Sequence, residues 1–269
     1  MMSTPRWGRY TDLHPDSLAE ILAHTPLAVL PWGALEWHGS HLPLGMDGIA
    51  AQYVAEHVVQ RTGGVLLPMT WWPMTTLPHR YSLAVKTSTF VAMVHDMLDS
   101  LAGAGFHIVV LISGHYAQGH EIELMKLAQA TYERCGLKVL TLPPGAVVNE
   151  DYLDHAGRWE TAQTLALRPD LVRLDALGDA PLHPRDWAVL GEDPRLATAH
   201  DGQQLLEAAI DGIVKLVARM QADDGMTVIN ALYAQRMGGY ASYAERFFRT
   251  SWEQALNDWW RQRTAHEEA

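Results

Sequence analysis

The chain has 269 residues, 48% of them hydrophobic and 19% charged, with a formal net charge of −11. This composition describes a soluble globular chain, one large domain or a domain with an appendage, and it excludes a disordered one. The acidic balance, with no Lys/Arg-rich run, weighs against a nucleic-acid partner, which needs a basic face to neutralise phosphates.

One cysteine, Cys135, cannot form an internal disulfide. The first residues lack the apolar core of a signal peptide, and no uninterrupted apolar run reaches the roughly 18 residues of a membrane span. A cytoplasmic protein with no membrane partner is therefore expected.

Along the chain, "PLAVLPW" (26–32) reads as a buried strand ending at Gly33. A helix is expected over 48–63, where Ile49, Tyr53, Val54 and His57 recur at helical spacing and Gly63 suits a C-terminal cap. "GVLLPM" (64–69) reads as a second strand. The stretch 70–89 is irregular, rich in aromatics and broken by prolines. Ser88 is the expected cap of a helix reaching about Leu101. "HIVVLIS" (107–113) is a third strand, a helix follows near 118–134, and "LKVLTLP" (137–143) is a fourth strand. Strands separated by such helices imply βαβ units and a mostly parallel sheet, with ligands collecting at the carboxyl ends of the strands.

Beyond residue 145 the pattern is helical, with 155–172 entered from a glycine turn and stopped by Pro169. Residues 181–200 read as loop, and 201–221 as an amphipathic helix whose stripe Leu206, Ile210, Ile213, Val217 and Met220 is core. The division expected is a domain over 1–222 and a helical extension over 223–269. The extension carries an aromatic stripe (Phe247, Phe248, Trp252, Trp259) suited to packing on the domain or on a neighbouring subunit.

Chemistry concentrates at three places. In "GALEWHGSHLPLGMD" (33–47), Glu36 and His38 point the same way in an extended segment. Asp47 can return to them after a turn through Gly39, Pro43 and Gly45. These groups can converge on one ion, with Asp47 able to bridge two, or each can be satisfied separately; for this loop alone both readings stand. Mixed oxygen and nitrogen ligation suits Zn²⁺, Mn²⁺ or Fe²⁺. "GHYAQGH" (114–120) ends the third strand on the same rim and adds His115. His120 falls inside the following helix and His107 at the far rim; neither is given a role. In "DHAGRWET" (154–161), His155 precedes a glycine turn and Glu160 lies in the first turns of a helix, where an acid is also favoured by the helix dipole alone.

Together these segments resemble the creatininase family of metal-dependent amidohydrolases. Residues 33–47 match its Gly-x-x-Glu-x-His-Gly-x-His-Leu-Pro-x-x-x-Asp signature, with Met46 where a threonine is common. "SGHYAQ" (113–118) keeps only the Gly-His pair of Asn-Gly-His-Gly-Gly-Asn. "HAGRWET" (155–161) matches His-Ala-Gly-x-x-Glu-Thr, and "GEDPRLATAHDGQQLL" (191–206) is similar to a later family segment. The resemblance covers roughly residues 15–221.

It implies a three-layer α/β/α sandwich, two divalent metal ions (mainly one in some members), and a homo-oligomer, commonly a hexamer. By the same resemblance Glu36 would hold the first metal, His38 and His115 the second, and Asp47 both. His155 would shuttle protons to the leaving nitrogen with a pKa near the ordinary ~6.5. Glu160 would be a ligand or a base, and Tyr116 would touch substrate. His41 would orient the turn.

Two departures matter. Creatinine-hydrolysing members carry a metal-binding Glu where this chain has Ala117, so a first-metal ligand is missing unless Glu160 supplies it. The pocket-forming stretch 70–89 also matches only loosely, at His79 and Thr87. The expected activity is hydrolysis of a C–N bond in a small, possibly cyclic, amide. A formamide deformylase, a peptidase and a metal-binding non-catalytic protein are the alternatives. Trp71, Trp72, Trp159 and Trp187 can wall the pocket, though core packing suits most of them better.

Overall fold

The structure, a computed structural model, describes residues 6–265. Its sheet is parallel throughout: β1 (Trp7–Arg9), β2 (Leu27–Trp32), β3 (Gly64–Leu66), β4 (Ile108–Ser113) and β5 (Lys138–Leu142), in the order β1-β3-β2-β4-β5. The central strands LAVLPW and IVVLIS are buried at every residue. A parallel sheet covered on both faces requires such near-continuous apolar runs. β1 is a half-buried edge of three residues with no apolar run, and the sequence pattern gave no sign of it. β3 is shorter than expected because Pro68 has no N–H to give the ladder. The segment nevertheless stays pinned to β2 through Leu67 N–H to Val29 O (2.9 Å) and Thr70 N–H to Pro31 O (3.1 Å).

The helices are α1 (Pro15–Leu22), α2 (Met46–Thr62), α3 (Thr87–Gly103), α4 (Gln118–Cys135), α5 (Arg158–Leu167), the single turn α6 (Pro184–Trp187), α7 (Ala199–Ala222), α8 (Thr227–Phe247) and α9 (Trp252–Ala265). From β2, α2 leads outward to β3; from β4, α4 leads the opposite way to β5. Right-handed crossovers then place α2 on one face and α3 and α4 on the other. α2 packs with α5 and α7, and α3 packs with α4. The result is the expected three-layer α/β/α sandwich. The carboxyl ends of the adjacent strands β2 and β4 form its switch point.

The extension packs against its own chain. Tyr233, on α8, is fully buried, and its hydroxyl donates to Val139 O and accepts from Thr141 N–H, both at 2.9 Å. One side chain thereby satisfies part of the open edge of β5. Ser88 is not the cap of α3. Lys86 holds the cap position without a side-chain bond, and Glu253 of α9 instead accepts from Thr87 N–H (2.7 Å) and Thr87 Oγ1–H (2.8 Å).

α5 and α7 approach so closely that a Cβ on Gly202 would lie 1.9 Å from Ala162 O. Replacing a helix glycine by alanine ordinarily stabilises by up to ~1 kcal/mol. Here overpacking reverses the sign, and Gly202→Ala is expected to destabilise by about 2 kcal/mol in urea unfolding. A rise in stability would refute that close packing.

Candidate metal centre

The loop after β2 and the loop after β4 meet at the switch point. Their approach depends on absent side chains. A Cβ on Gly114 would stand 1.9 Å from Asp47 O, and one on Gly33 would stand 2.6 Å from Gly48 Cα. The ring of Trp71 lies across Gly48 and Gly45, so this tryptophan braces the start of α2 rather than the pocket. α2 begins at Met46, which carries Asp47 into its first turn.

Glu36, His38, Asp47, His115 and Glu160 are all buried. They form two clusters that share Asp47. In the first, His115 Nδ1 lies 2.9 Å from Glu36 Oε2 and 3.3 Å from Asp47 Oδ2. In the second, His38 Nε2 lies 2.9 Å from Asp47 Oδ1 and 3.4 Å from Glu160 Oε2. Each trio offers three ligand atoms within 4.8 Å of one another. His115 thus stands with Glu36, not with His38 as the resemblance implied. Glu160 stands in the second cluster with His38 and Asp47, not beside Glu36, where it was expected to replace the ligand missing at Ala117.

The histidines are held by their other nitrogens. His38 Nδ1 bonds Glu36 O (3.1 Å), and His115 Nε2 bonds Thr75 O (2.7 Å). Donation to these carbonyls fixes the tautomers and leaves His38 Nε2 and His115 Nδ1 as lone-pair donors. Thr75 takes a left-handed φ of 57° to present its carbonyl. Glu36 Oε1 accepts from Leu77 N–H (2.6 Å) and Glu160 Oε2 from Ala156 N–H (2.6 Å). These backbone bonds orient the carboxylates and leave ligand atoms over.

His38 Nε2, Glu36 Oε2 and Asp47 Oδ2 are buried without a hydrogen-bond partner. The 2.9 Å His38–Asp47 approach runs to Asp47 Oδ1, so Asp47 Oδ2 remains over. Orphaned buried polar atoms are costly. Three carboxylates and two imidazoles converging, with three of their atoms unpartnered, fit divalent metal.

The protonation pattern agrees. Burial alone would lower the His38 pKa, yet Asp47 and Glu160 push it up to about 10. His115 is likewise held well above the ordinary range, against burial, by Glu36 and Asp47. Burial, reinforced by Asp47 and Asp154, raises Glu160 well above the usual carboxylate range. Without a cation the cluster must hold protons in its place.

His155 stacks on His38 with ring centroids 4.2 Å apart, and its Nε2 bonds Trp37 O (2.9 Å). Burial and the neighbouring His38 bring its pKa down to about 4, which corrects the expectation of an ordinary value near 6.5. His41 meets Thr161 Oγ1 at 3.2 Å, and burial lowers it to about 4 as well. It ties the loop to α5.

Two residues had no role in the sequence reading. Asp154 accepts from Trp159 N–H (2.8 Å) and Glu160 N–H (3.1 Å), so it caps the helix that carries Glu160. Burial pushes this carboxyl up to about 7. An acid a few residues before a helical acid was the available signal. His120 lies in the first turn of α4, fully buried, with its ring 5.0 Å from that of His115.

A cavity of about 300 Å³ opens onto the clusters. Tyr116 and His155 line it, together with Tyr240, Tyr243, Leu256 and Trp259 of the extension. Trp71, Trp72, Trp159 and Trp187 do not line it.

Fold and site define the class, an α/β/α enzyme with a carboxylate–histidine centre at its switch point. The sequence matches the creatininase (creatinine amidohydrolase) family profile over residues 11–217. It is 27% identical over 241 residues to creatinine amidohydrolase of Pseudomonas putida, covering 74% of this chain and 91% of that protein. It is 28% identical over 237 residues to the mycofactocin precursor peptide peptidase of Mycobacterium tuberculosis, covering 77% and 91%. A crystal structure of creatinine amidohydrolase matches with a TM-score of 0.71 at 22% identity, over 79% of this chain and 97% of that one. The structure described as creatininase Mn gives 0.69 at 24%, over 79% and 98%. The chain belongs to the creatininase family and is a metal-dependent amidohydrolase.

Because neighbouring carboxylates hold a proton on His38 with a pKa of about 10, cation binding there must displace it. Apparent affinity for Zn²⁺ or Mn²⁺ is expected to rise with pH across the range below about 10, the His38 value, with proton release measurable by calorimetry in buffers of different ionisation enthalpy. Affinity independent of pH between 6 and 9 would contradict this.

Proposed function

We propose that the protein hydrolyses a non-peptide amide C–N bond, possibly cyclic, in a small molecule. Two divalent cations, Zn²⁺, Mn²⁺ or Fe²⁺, belong to this reading. One is held by Glu36, Asp47 and His115 and the other by His38, Asp47 and Glu160. The observation that carries it is the set of buried ligand atoms of Glu36, His38 and Asp47 left without hydrogen-bond partners, two of these residues lining the cavity. When bound, such ions supply a nucleophilic water at neutral pH and a Lewis acid for the carbonyl oxygen.

The remaining work falls to the chain. Tyr116 keeps its proton, because burial and the nearby Glu160 and Asp47 charges raise its pKa well above 10. Its hydroxyl is therefore a hydrogen-bond donor for the carbonyl oxygen as negative charge develops there. His155 is neutral at physiological pH, so it must gain a proton before giving one away. It accepts the proton lost by the attacking water and passes it to the leaving nitrogen as the C–N bond breaks. One of its ring nitrogens lies within 4.8 Å of ligand atoms of Glu36 and His38, close enough for that exchange through one water. Glu160, once ionised, is the second group able to take that proton, because burial raises its proton affinity.

The mycobacterial relatives named as peptidases support a second reading, cleavage of a short peptide. The cavity volume favours the small molecule, being at the lower end for ligand sites. A cytoplasmic homo-oligomer, a hexamer by resemblance, completes the proposal.

The test is a panel of small linear and cyclic amides, formamides and short peptides assayed with metal-loaded protein. Asp47→Ala is expected to abolish turnover of any substrate found. His155→Gln is expected to lower kcat by roughly 10²–10⁴-fold with metal content retained. Hydrolysis that survives Asp47→Ala would eliminate the mechanism.

A further inference from the structure

The extension lies outside the family match, which ends at residue 217, yet it supplies a wall of the cavity. Tyr240 and Tyr243 come from α8, Leu256 and Trp259 from α9. Glu36, Asp47, His115, Glu160 and Tyr116 line the same cavity. Gln118, at the first residue of α4, also lines the cavity, and its Oε1 is buried without a hydrogen-bond partner.

This wall is anchored at several points. Arg236 of α8 is 3% exposed and bonds Glu121 Oε2 (2.9 Å), Glu150 Oε1 (2.7 Å) and Tyr240 Oη (2.7 Å). Tyr240 is thereby fixed through the same guanidinium that ties α8 to the start of α4. Trp252 lies against Gly119, where a Cβ would stand 2.9 Å from its ring, and its Nε1–H bonds Glu123 Oε1 (2.8 Å). Tyr243 meets Trp259 edge to face with centroids 6.4 Å apart. Leu256 packs with Leu77 and Ala188 in a small apolar cluster that includes Trp259. The aromatic faces are thus held by the fold, with little freedom left to lose on binding.

We propose that α8 and α9 are the substrate-selecting element of this site. Tyr243, Leu256 and Trp259 receive a flat apolar group, such as an aryl ring, attached to the scissile amide, while Gln118 Oε1 accepts a hydrogen bond from an N–H of the substrate. Preferred substrates are then aryl-bearing amides, not amides with small alkyl groups. Rigid aromatic walls favour stacking and edge-to-face contact with a ring, and a small alkyl group fills such a slot poorly. An acceptor left unpaired in the empty pocket gains its partner only from a ligand that carries a donor. This assignment of substrate class rests on the amide-hydrolase reading above, but the wall itself can be tested without turnover.

The experiment measures binding and hydrolysis in parallel. Matched aryl and alkyl amides are titrated into metal-loaded full-length protein by calorimetry, and the same pairs are assayed for hydrolysis. Wild type is expected to bind the aryl member at least tenfold more tightly. Trp259→Leu and Tyr243→Leu are expected to remove most of that preference at unchanged metal content, and Trp259→Phe to keep it. Gln118→Leu is expected to weaken amides bearing an N–H more than their N-methylated counterparts.

Equal affinity of wild type for aryl and alkyl amides would overturn the proposal. So would a preference that survives both leucine variants. Should Trp259→Leu fail to fold, Tyr243→Leu decides alone. An intact aryl preference with no hydrolysis of any amide would support the wall and refute the hydrolytic reading, so the two failures are separable.

Discussion

The site depends on one carboxylate placed between two imidazoles. Asp47 faces His38 with one oxygen and His115 with the other, and these histidines come from the ends of different strands. That placement needs the backbone of α2's first turn to touch the loop after β4. The contact is possible only because residue 114 has no side chain. Parallel pairing of β2 with β4, with helices leaving in opposite directions, creates the crevice. Gly33, Gly48 and Gly114 let it close to ligand distance. The acids gathered there would repel one another and lose hydration, so the fold holds a charge problem that a divalent cation resolves.

The extension changes what surrounds that centre. Its anchoring cation, Arg236, is buried between Glu121 and Glu150. Burial pushes Glu121 up to about 7 despite the adjacent guanidinium. Desolvation offsets much of the attraction in such a pair, so it adds little to net stability. Its value lies in geometry, because both neighbouring carboxylates and the Tyr240 hydroxyl must be met at once. Glu253 at the start of α3 and Tyr233 on β5 add two further points whose polar partners fix the position of α8 and α9. The chemistry is thus carried by the matched domain, and the cavity is bounded by a segment outside it.

Much of this was legible in the sequence. The apolar runs at 26–32 and 107–113 are strands because both faces of the sheet are covered. Their ends share a rim, which brings Glu36, His38, Asp47 and His115 together. Glu160 and His155 stood out in their own segment, and the resemblance implied their roles. Other features left no local signal. β1 is three residues long and its register is set by β3. The resemblance paired His115 with His38, whereas Thr75 O takes one ring nitrogen of His115 and the other turns to Glu36. His155 was expected near its ordinary pKa, and burial beside His38 moved it. The aromatic wall was sought among tryptophans close to the motifs, whereas Trp259 reaches the cavity from the far end of the chain. Asp154 and Arg236 act through partners distant in sequence or through backbone, which composition does not reveal.

The central claim is that Glu160 completes a second cation position with His38 and Asp47. The most direct test is the stoichiometry of bound divalent metal, by mass spectrometry of dialysed protein, in wild type and Glu160→Gln. The account predicts two ions per chain in wild type and one in the variant, with the Glu36–Asp47–His115 position still filled. Two ions retained by Glu160→Gln, or no stoichiometric metal in wild type, would contradict it.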